Sequence, residues 1–290
     1  MRVLVTGHKG FLGACVKRAL EDAGHMVSGY DLPEHDILHP PAGLLQPFAV
    51  VCHVAAVGDV YLAHRDPELA VRVNVLGTQL LLQAALEAGI RRFIYASTWE
   101  VVTNLDHPYN ITKYAGDLLT QCYSSLYGLD TVVLRLGTLY GPNMRDTAVI
   151  PKFIKLAAAG RTITIEGTGE QYRQFLHVRD AAKAFVLAVD RGANGGVYNI
   201  VGGERITVRQ IAELTGGKIE YVPSRSGDAQ AIALDSTLAR EELGWSPEIP
   251  FAAGFRELCG ALEQTPTDVA PRSAVSGSPA GPAEGAKEVS

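Results

Sequence analysis

The sequence contains little that would tie the protein to disulfides, metals, nucleic acid or membranes. Only four of its 290 residues are cysteines. They are widely separated and three of them fall inside apolar periodic stretches, so we predict small buried hydrophobic side chains rather than disulfides or zinc ligands. These residues are Cys15, Cys52, Cys122 and Cys259. His35 and His39 flank a proline-rich loop without further ligands nearby, so we predict no metal site.

The charge and hydropathy patterns exclude further classes of partner. The formal net charge of -5 gives no electrostatic footprint for nucleic acid or for an anionic membrane. We expect no apolar run long enough to span a bilayer, and we expect the N-terminus to form a strand rather than a signal peptide. The sequence therefore predicts a cytoplasmic protein. Hydrophobic residues make up 47% of the chain, which is enough for a substantial core.

What the sequence does contain is a phosphate-binding pattern at its start. The segment MRVLVTGHKGFLG combines an apolar strand, Arg2–Thr6, with three glycines at three-residue spacing and a helix that begins at Phe11. Gly7 permits the tight turn after the strand, Gly10 lets the backbone approach a pyrophosphate, and Gly13 lets the helix pack close to the sheet. The phosphates would then meet the positive N-terminal end of the helix.

A second strand, His25–Tyr30, ends at an acidic residue that favours NAD. Asp31 lies about twenty residues beyond the glycines, where a carboxylate accepts hydrogen bonds from the adenosine ribose. Lys9 argues in the other direction, because its ammonium group is placed to reach the 2′-phosphate of NADP. Since Asp31 would repel that phosphate, we predict NAD without excluding NADP. Asp36 and Ile37 are predicted to hold the adenine, although Asp36 also fits a simple loop acid.

Strands and helices alternate along the first half of the chain. This alternation predicts an α/β fold with a doubly wound parallel sheet. We expect a dinucleotide-binding domain over residues 1–140, with elements near 178–200 returning to it, and a smaller mixed substrate-binding lobe over 141–264. Residues 265–290 lack large apolar side chains and are predicted to be disordered. The predicted elements include a strand Ala49–Val54, a helix Asp66–Gly89, a strand Arg92–Ser97, a helix Tyr109–Tyr127, a strand Thr131–Leu136 and a helix Val178–Arg191.

Tyr109 and Lys113 lie one helical turn apart on the same helix face. An ammonium group beside a phenol favours the phenolate, so we expect Lys113 to lower the pKa of Tyr109 and make it an acid and base at neutral pH. The same lysine can hold the nicotinamide ribose. The pair follows a strand that ends in Ser97 and Thr98, at the crevice edge where doubly wound sheets bind ligands.

Many segments, in a fixed order, resemble the extended short-chain dehydrogenase/reductase family, and within it the NAD-dependent nucleotide-sugar epimerases and dehydratases. The likeness runs from Met1 to Leu262. The segments are TGHKGFLG, VCHVAAVGDV, DPELAVRVNVLGTQLLLQAA, RRFIYASTWEV, PYNITKYAGD, RLGTLYGP, GEQYRQFLHVRDAAKA, GGVYNIVGGERITVRQIAE and LGWSP. The resemblance implies that Thr98 and Tyr109 meet the reacting oxygen, that Lys113 contacts cofactor and phenol, and that Asn74 is buried behind the nicotinamide site.

The same resemblance implies further contacts with the two ligands. Phe11 and Ala55 are expected to contact the cofactor. Arg173 and Arg225 are expected to meet the diphosphate of a nucleotide sugar, which suits the forked guanidinium group. Thr138 stands where the family often has an asparagine that touches the substrate phosphates.

In the resembling family, NAD removes hydride from a sugar carbon while the tyrosine takes the hydroxyl proton, and the fate of the keto-sugar defines the enzyme. Return of hydride to the other face gives an epimer, whereas loss of the C5 proton and the C6 hydroxyl gives a 4-keto-6-deoxy sugar. Glu100 occupies the position of the family's glutamate base, but Trp99 replaces the small or acidic residue beside it. The aspartate acid of one dehydratase class is therefore absent. Because other dehydratases, decarboxylases and epimerases carry the glutamate without that aspartate, Glu100 does not choose between them.

The chain departs from the family in the connection before Tyr109. Only eight residues, VVTNLDHP, separate Glu100 from Tyr109, where the family usually has a much longer loop. An extended chain still covers the distance, so the catalytic groups can converge, and the missing loop is expected to open the side of the substrate cleft.

We therefore predict an NAD-dependent nucleotide-sugar 4-epimerase. The alternatives are a 4,6-dehydratase in which Glu100 takes the C5 proton, an NAD(P)H-dependent ketoreductase, and a cofactor-sensing protein without turnover. Helices Asp66–Gly89 and Tyr109–Tyr127 carry apolar residues on more than one face. In the resembling family these two helices form a four-helix dimer interface, so a homodimer is expected, and a monomer whose second lobe covers the leucines is the alternative.

Overall fold

The computed structural model describes residues 1–102, 105–223 and 233–264. Arg225 and the predicted disordered tail lie outside these residues. The strands are β1 (Arg2–Thr6), β2 (Met26–Tyr30), β3 (Val50–His53), β4 (Arg92–Thr98), β5 (Thr131–Leu136), β6 (Thr138–Tyr140), β7 (Ile163–Glu166), β8 (Tyr172–Arg173), β9 (Phe175–His177), β10 (Gly196–Ile200), β11 (Ile206–Thr207) and β12 (Ile219–Val222). The helices are α1 (Phe11–Asp22), α2 (Val60–Arg65), α3 (Pro67–Val71), α4 (Thr78–Ala88), α5 (Pro108–Tyr127), α6 (Val149–Ala158), α7 (Val178–Arg191), α8 (Val208–Leu214) and α9 (Phe251–Gln264).

Three shorter helical segments complete the described chain. A π-helical segment, Arg72–Gly77, joins α3 to α4, so that Pro67–Ala88 is one continuous helix. A 3-10 turn, Trp99–Val102, follows β4, and a second π-helical segment covers Ala239–Leu243.

A six-stranded parallel sheet in the order β2-β1-β3-β4-β5-β10 confirms the predicted fold class. From β1 the chain passes through α1 to β2 on one side, and then crosses to β3 on the other side of β1. The strand order therefore reverses between β1 and β3. In open parallel sheets this switch point leaves a crevice at the carboxyl ends of the strands, where ligands bind.

Alternate side chains of the strands enter two separate cores, because successive residues of a strand point to opposite faces. Val3 and Val5 of β1 pack with α1 and α7 on one face of the sheet. Leu4 packs with α4 and α5 on the other face. Both faces are covered, as a parallel sheet requires.

The predicted helix Asp66–Gly89 is observed as Pro67–Ala88. It contradicts the expectation that no apolar segment is long enough to span a bilayer. Its length and a mean hydropathy of 1.4 would be enough for a membrane span, although we expected no such segment. Leu81, Leu82 and Ala85 are fully buried against the sheet. The apolar character of this helix thus serves the core of the fold.

After β5 the chain builds a smaller apolar cluster around three short strand pairs: β6 with β9, β7 with β12, and β8 with β11. Tyr140, Phe153, Phe175, Phe251 and Phe255 are the buried aromatic members of this cluster. Helix α7 and strand β10 return to the main sheet, as expected for residues near 178–200.

Candidate active site

A cleft of about 1260 Å³ opens at the carboxyl ends of the sheet strands. It runs from the loop after β1 and the end of β2, past the ends of β3 and β4, to the segment around β6 and β8. Every predicted site residue in the described part of the chain lines it: Gly7, Gly10, Phe11, Gly13, Asp31, Asp36, Ile37, Ala55, Thr98, Glu100, Tyr109, Lys113, Thr138 and Arg173. The sequence prediction therefore identified residues that the fold brings together.

The glycine turn leaves no room for side chains at two of its three positions. Gly7 has a φ of 70°, in the left-handed region that favours glycine, and a Cβ there would lie 2.7 Å from the Ala55 backbone. A Cβ at Gly13 would lie 2.0 Å from the Gly7 carbonyl oxygen. Gly10 caps the N-terminus of α1. The backbone at this turn therefore fits a pyrophosphate placed against a helix N-terminus.

The carboxylate of Asp31 is held in place by backbone groups. It accepts hydrogen bonds of 2.8 Å from the amides of Lys9 and Leu32. The ammonium group of Lys9 donates to the Leu32 carbonyl oxygen at 3.0 Å and forms an ion pair with Glu34. The Lys9 ammonium group is thus already engaged by an acidic partner, and Asp31 would repel a 2′-phosphate, so this arrangement favours NAD.

Asp36 supports its own loop. Its carboxylate accepts a hydrogen bond from the Leu38 amide at 2.9 Å and contacts the His39 ring at 3.1 Å. The Leu38 amide and His39 both favour the charged form, so the pKa of Asp36 is lowered. Ile37 is buried and lines the cleft beside it. Their contacts with adenine stay a prediction.

Thr98 and Tyr109 meet across the cleft. Thr98 is the last residue of β4, and Tyr109 lies in the first turn of α5, which begins at Pro108 because proline is favoured there and His107 caps the helix. The Thr98 hydroxyl lies close enough to the Tyr109 phenol to lower its pKa. Lys113 follows one turn later and is 4% exposed.

The expected lowering of the Tyr109 pKa by Lys113 is wrong. Burial raises the pKa of Tyr109, and the negative charge of Glu100 raises it further. Arg145 and the nearby Thr98 hydroxyl lower it without reversing the shift. Tyr109 is therefore a neutral phenol at pH 7.

Lys113 supplies less positive charge than expected because it is itself buried. Burial lowers the pKa of Lys113 to about 7, and Asp117 opposes this shift. The ammonium group lies 4.2 Å from the centre of the Tyr95 ring. Fully buried Asp117 accepts hydrogen bonds from Ser97 at 2.8 Å and from Arg135 at 2.9 Å. The positive charge of Arg135 opposes the field of Asp117 at Lys113.

A buried histidine joins the ends of β1 and β3. His53 Nδ1 accepts a hydrogen bond from the Thr6 hydroxyl at 2.8 Å, and its Nε2 donates to Thr78 at 3.0 Å. The Thr6 oxygen also accepts from the amide of Ala55 at 3.1 Å. Burial lowers the pKa of His53 to about 3, so the ring is neutral.

The hydrogen-bonded chain continues from Thr78 to the catalytic helix. Thr78 donates to the Asn74 carbonyl oxygen at 2.7 Å, and the Asn74 amide group donates to Thr112 at 3.0 Å. Thr112 in turn donates to the Tyr109 carbonyl oxygen at 3.0 Å. Asn74 also accepts from the Val57 amide at 2.7 Å. Asn74 is buried, as the family resemblance implied.

Glu100 and Arg173 share the end of the cleft beside Tyr109. Burial raises the pKa of Glu100, Arg173 lowers it, and Asp106 raises it. The Arg173 guanidinium carbon lies 5.8 Å from the centre of the Trp99 ring, and the group donates to the Tyr172 carbonyl oxygen at 2.9 Å. Trp99 is 8% exposed.

Sequence reasoning missed two histidines that line the same cleft. His64 lies in the last turn of α2, and His107 precedes Pro108. Histidine is not among the usual N-cap residues, so no sequence signal marked His107. Arg145, which lines the cleft and pairs with Asp59 at 3.1 Å, was also missed because it lies in a loop without periodicity.

Comparisons with known proteins agree with this geometry. The model of the NAD dependent epimerase/dehydratase family matches residues 3–201. The dTDP-glucose 4,6-dehydratase of Streptomyces griseus is 36% identical over 71% of this chain and 69% of its own length. The UDP-glucose 4-epimerase of Mycolicibacterium smegmatis is 31% identical over 88% of this chain and 96% of its own.

A solved structure extends the likeness to the fold. The dTDP-glucose 4,6-dehydratase of Streptomyces venezuelae, crystallised with NAD and TYD bound, superposes with a TM-score of 0.81 at 28% identity, and the match covers 91% of this chain and 97% of that one. The glycine cradle and the Asp31 carboxylate fit the phosphates and the ribose of such a dinucleotide.

The buried Lys113 predicts a pH-dependent stability. Its pKa is about 7 in the folded protein and near its ordinary value of about 10.4 when unfolded, so the unfolded state binds more protons above pH 7. The free energy of unfolding of the nucleotide-free protein should therefore rise by about 1–2 kcal/mol between pH 7.0 and 8.5. Lys113→Met should abolish the rise in urea titrations, while the exposed control Lys152→Met keeps it. An equal rise in Lys113→Met would contradict the assignment.

The Lys9–Glu34 ion pair predicts how the ribose pocket distinguishes a ribose with a free 2′-hydroxyl from one with a 2′-phosphate. Glu34→Gln releases the Lys9 ammonium group and removes a negative charge, so the affinity for 2′,5′-ADP relative to AMP should increase about 2- to 5-fold in calorimetry. Glu21→Gln, which breaks the comparable exposed pair with Lys17, is the control and should leave the ratio unchanged. An unchanged ratio in Glu34→Gln would show that Lys9 does not face the 2′-position.

Proposed function

Since this chain belongs to the NAD dependent epimerase/dehydratase family, we propose that it is a nucleotide-sugar 4-epimerase that oxidises the C4 hydroxyl and re-reduces the keto-sugar on its other face. NAD, when bound, supplies the hydride acceptor and donor for both half-reactions. The glycine turn and Asp31 would hold its phosphates and adenosine ribose, and Lys113 would hold its nicotinamide ribose.

Tyr109 is the acid and base of the proposed reaction. Its phenol accepts the proton of the sugar hydroxyl during oxidation and returns it during reduction. The nearby Thr98 hydroxyl lowers the pKa of this phenol. Because burial raises the pKa of Tyr109, a positive charge close to the phenol is needed to favour the phenolate.

The observation that carries the proposal is the set of carboxylic acids in the cleft. Epimerisation needs one acid and base, whereas dehydration needs a further base and a further acid. Among the described residues that line the cleft, Glu100 is the one carboxylic acid beside Tyr109, because Asp31 and Asp36 follow β2, three strands away. Trp99, largely buried, stands where a second acid would be.

A 4,6-dehydratase is the second candidate, and Glu100 is the observation that favours it. Burial raises the pKa of this carboxyl group, which makes its carboxylate a stronger base for a C5 proton. Several related sequences are named dTDP-glucose 4,6-dehydratases. A ketoreductase differs from both because it would consume reduced cofactor.

The substrate is proposed to be a nucleoside diphosphate sugar held mainly by the smaller lobe, residues 141–264, with Thr138 from the segment just before it. Arg173 lines the cleft from β8 and Thr138 from β6. A guanidinium group there suits the diphosphate. Arg225 is proposed as its partner on the same grounds of resemblance. A cytoplasmic location is part of this proposal, since the four cysteines are free thiols, as a reducing compartment would keep them.

A homodimer is proposed through the continuous helix Pro67–Ala88 and α5. Both helices expose apolar side chains although each also packs on the sheet. Val71, Leu76, Ile111, Leu118 and Leu126 are the exposed members. Two copies related by a twofold axis would cover them with the same surface on each side.

The first experiment is a product analysis with UDP-, dTDP-, GDP- and CDP-hexoses in deuterium-enriched water, without added cofactor. A new sugar isomer of unchanged mass would support the epimerase. Loss of water with deuterium gained at carbon would identify a dehydratase. No product from any sugar would overturn both and favour the ketoreductase, which a test with added reduced cofactor would then detect.

Two substitutions separate the candidate reactions. Tyr109→Phe should lower kcat by about 10²–10⁴-fold in either case, because it removes the proton-transfer group. Glu100→Gln should change the kcat of an epimerase by less than about 10-fold, but it should lower that of a dehydratase by about 10²–10⁴-fold. Steady-state kinetics decides, with the exposed Glu213→Gln of α8 as the control. A large loss in Glu100→Gln together with an epimer as product would contradict the assigned roles.

The dimer proposal has a closely matched control. Leu118 of α5 and Leu214 of α8 are both 47% exposed. Leu118→Asp should convert the dimer to a monomer, because it would bury a charge at an apolar interface, whereas Leu214→Asp should leave the dimer intact. Light scattering after gel filtration measures the mass of each. A monomeric unsubstituted protein, or a dimeric Leu118→Asp, would refute the interface.

A further inference from the structure

Two imidazole rings lie side by side in the cleft, next to the catalytic tyrosine. The ring centroids of His64 and His107 are 5.8 Å apart, and the rings are inclined by 31°. Both residues line the same cleft as Tyr109. The shortened connection brings them together, since it places His107 directly at the start of α5, against which α2 packs.

The hydrogen bonds of His107 fix its tautomer. The Tyr109 amide donates to His107 Nδ1 at 3.2 Å, so this nitrogen must carry a lone pair. The remaining proton of a neutral ring then sits on Nε2. Burial lowers the pKa of His107, and His64 lowers it further against the opposing effect of Asp106. The ring is therefore neutral at pH 7, with Nε2 as a fixed hydrogen-bond donor.

A histidine can serve as a helix cap alone, since His177 caps α7 in the same way but does not line the cleft. His107 differs because its ring lines the cleft two residues before Tyr109, where serine, threonine, aspartate or asparagine would cap the helix without presenting a ring donor. His107 is only partly buried, and it forms part of the cleft wall.

We propose that His107 is a substrate-binding residue whose Nε2–H donates a hydrogen bond to a ring hydroxyl of the sugar held at Tyr109. The inference rests on the proposed function, because it needs a hydroxylated ring at the phenol. Adjacent carbons of a hexose carry hydroxyls, so a sugar whose C4 hydroxyl meets Tyr109 presents a neighbouring hydroxyl as the acceptor. His64 supports the ring of His107 from α2 and is a positioning residue.

The decisive variant is His107→Ser, which keeps an N-cap oxygen for α5 and removes the ring donor. The affinities of UDP-glucose and UDP, and of dTDP-glucose and dTDP, are measured by calorimetry on the protein as purified. His107→Ser should weaken binding of the sugar nucleotides about 3- to 10-fold, as expected for one lost hydrogen bond, with the bare nucleotides unchanged. His25→Ser, a partly buried histidine outside the cleft, should change neither.

Thermal unfolding distinguishes a loss of the helix cap, which lowers stability, from a loss of the hydrogen bond to the sugar, which does not. His107→Ala should unfold at a lower temperature than the unsubstituted protein, and His107→Ser should not, since only alanine lacks a cap. Equal loss of affinity in both variants would support a contact with the sugar. An unchanged ratio of sugar nucleotide to nucleotide affinity in His107→Ser would overturn it. Failure of the unsubstituted protein to bind either sugar nucleotide would instead overturn the nucleotide-sugar proposal, and this inference with it.

Discussion

The hydrogen-bonded chain from Thr6 to Tyr109 is the interaction on which the site depends. It starts at the end of β1, passes through the His53 ring and Asn74, and ends at the Tyr109 carbonyl oxygen. Each buried donor in it has an acceptor, so it costs none of the free energy that an unpaired buried polar group would. The chain ties the glycine cradle at the switch point to the first turn of α5. The position of the phenol relative to the cofactor pocket is therefore set by the core of the protein.

The glycine cradle imposes a second constraint at the same place. Because the backbone of Gly7 approaches that of Ala55, and Gly13 approaches Gly7, the ends of β1 and β3 are closer than side chains would allow. Thr6 bridges the same two strands through the Ala55 amide. The same two strands flank the switch point of the sheet, whose crevice lies at their carboxyl ends. The predicted cofactor and catalytic residues in the described chain line that crevice.

Local signals in the sequence were enough for most of the fold and for much of the site. The strand Thr131–Leu136 and the helix Val178–Arg191 form with the predicted bounds. In both, the hydrophobic periodicity ends at the same residues as the local signals for the ends of the element. The sequence could not reveal that His107 caps α5. The amide that it accepts from, that of Tyr109, becomes free at the helix start, and the short connection decides where that start lies. Sequence reasoning also gave the wrong direction for the pKa of Tyr109. Helical spacing placed Lys113 near the phenol, but only tertiary packing determines that both groups are buried.

Burial opposes charge on both members of the central pair, and this cost itself indicates a function. A lysine whose pKa is about 7 destabilises the fold at neutral pH, where a methionine would pack without penalty. The protein nevertheless surrounds Lys113 with the Tyr95 ring and, one turn on, with Asp117. The Tyr95 ring and Asp117 stabilise the charged form of Lys113, so they offset part of the free-energy cost of burying it but do not remove that cost. Burial therefore keeps Tyr109 a neutral phenol and leaves Lys113 only partly protonated at neutral pH, so a charged ligand that enters the cleft would shift the protonation of both groups, as the proposed reaction requires.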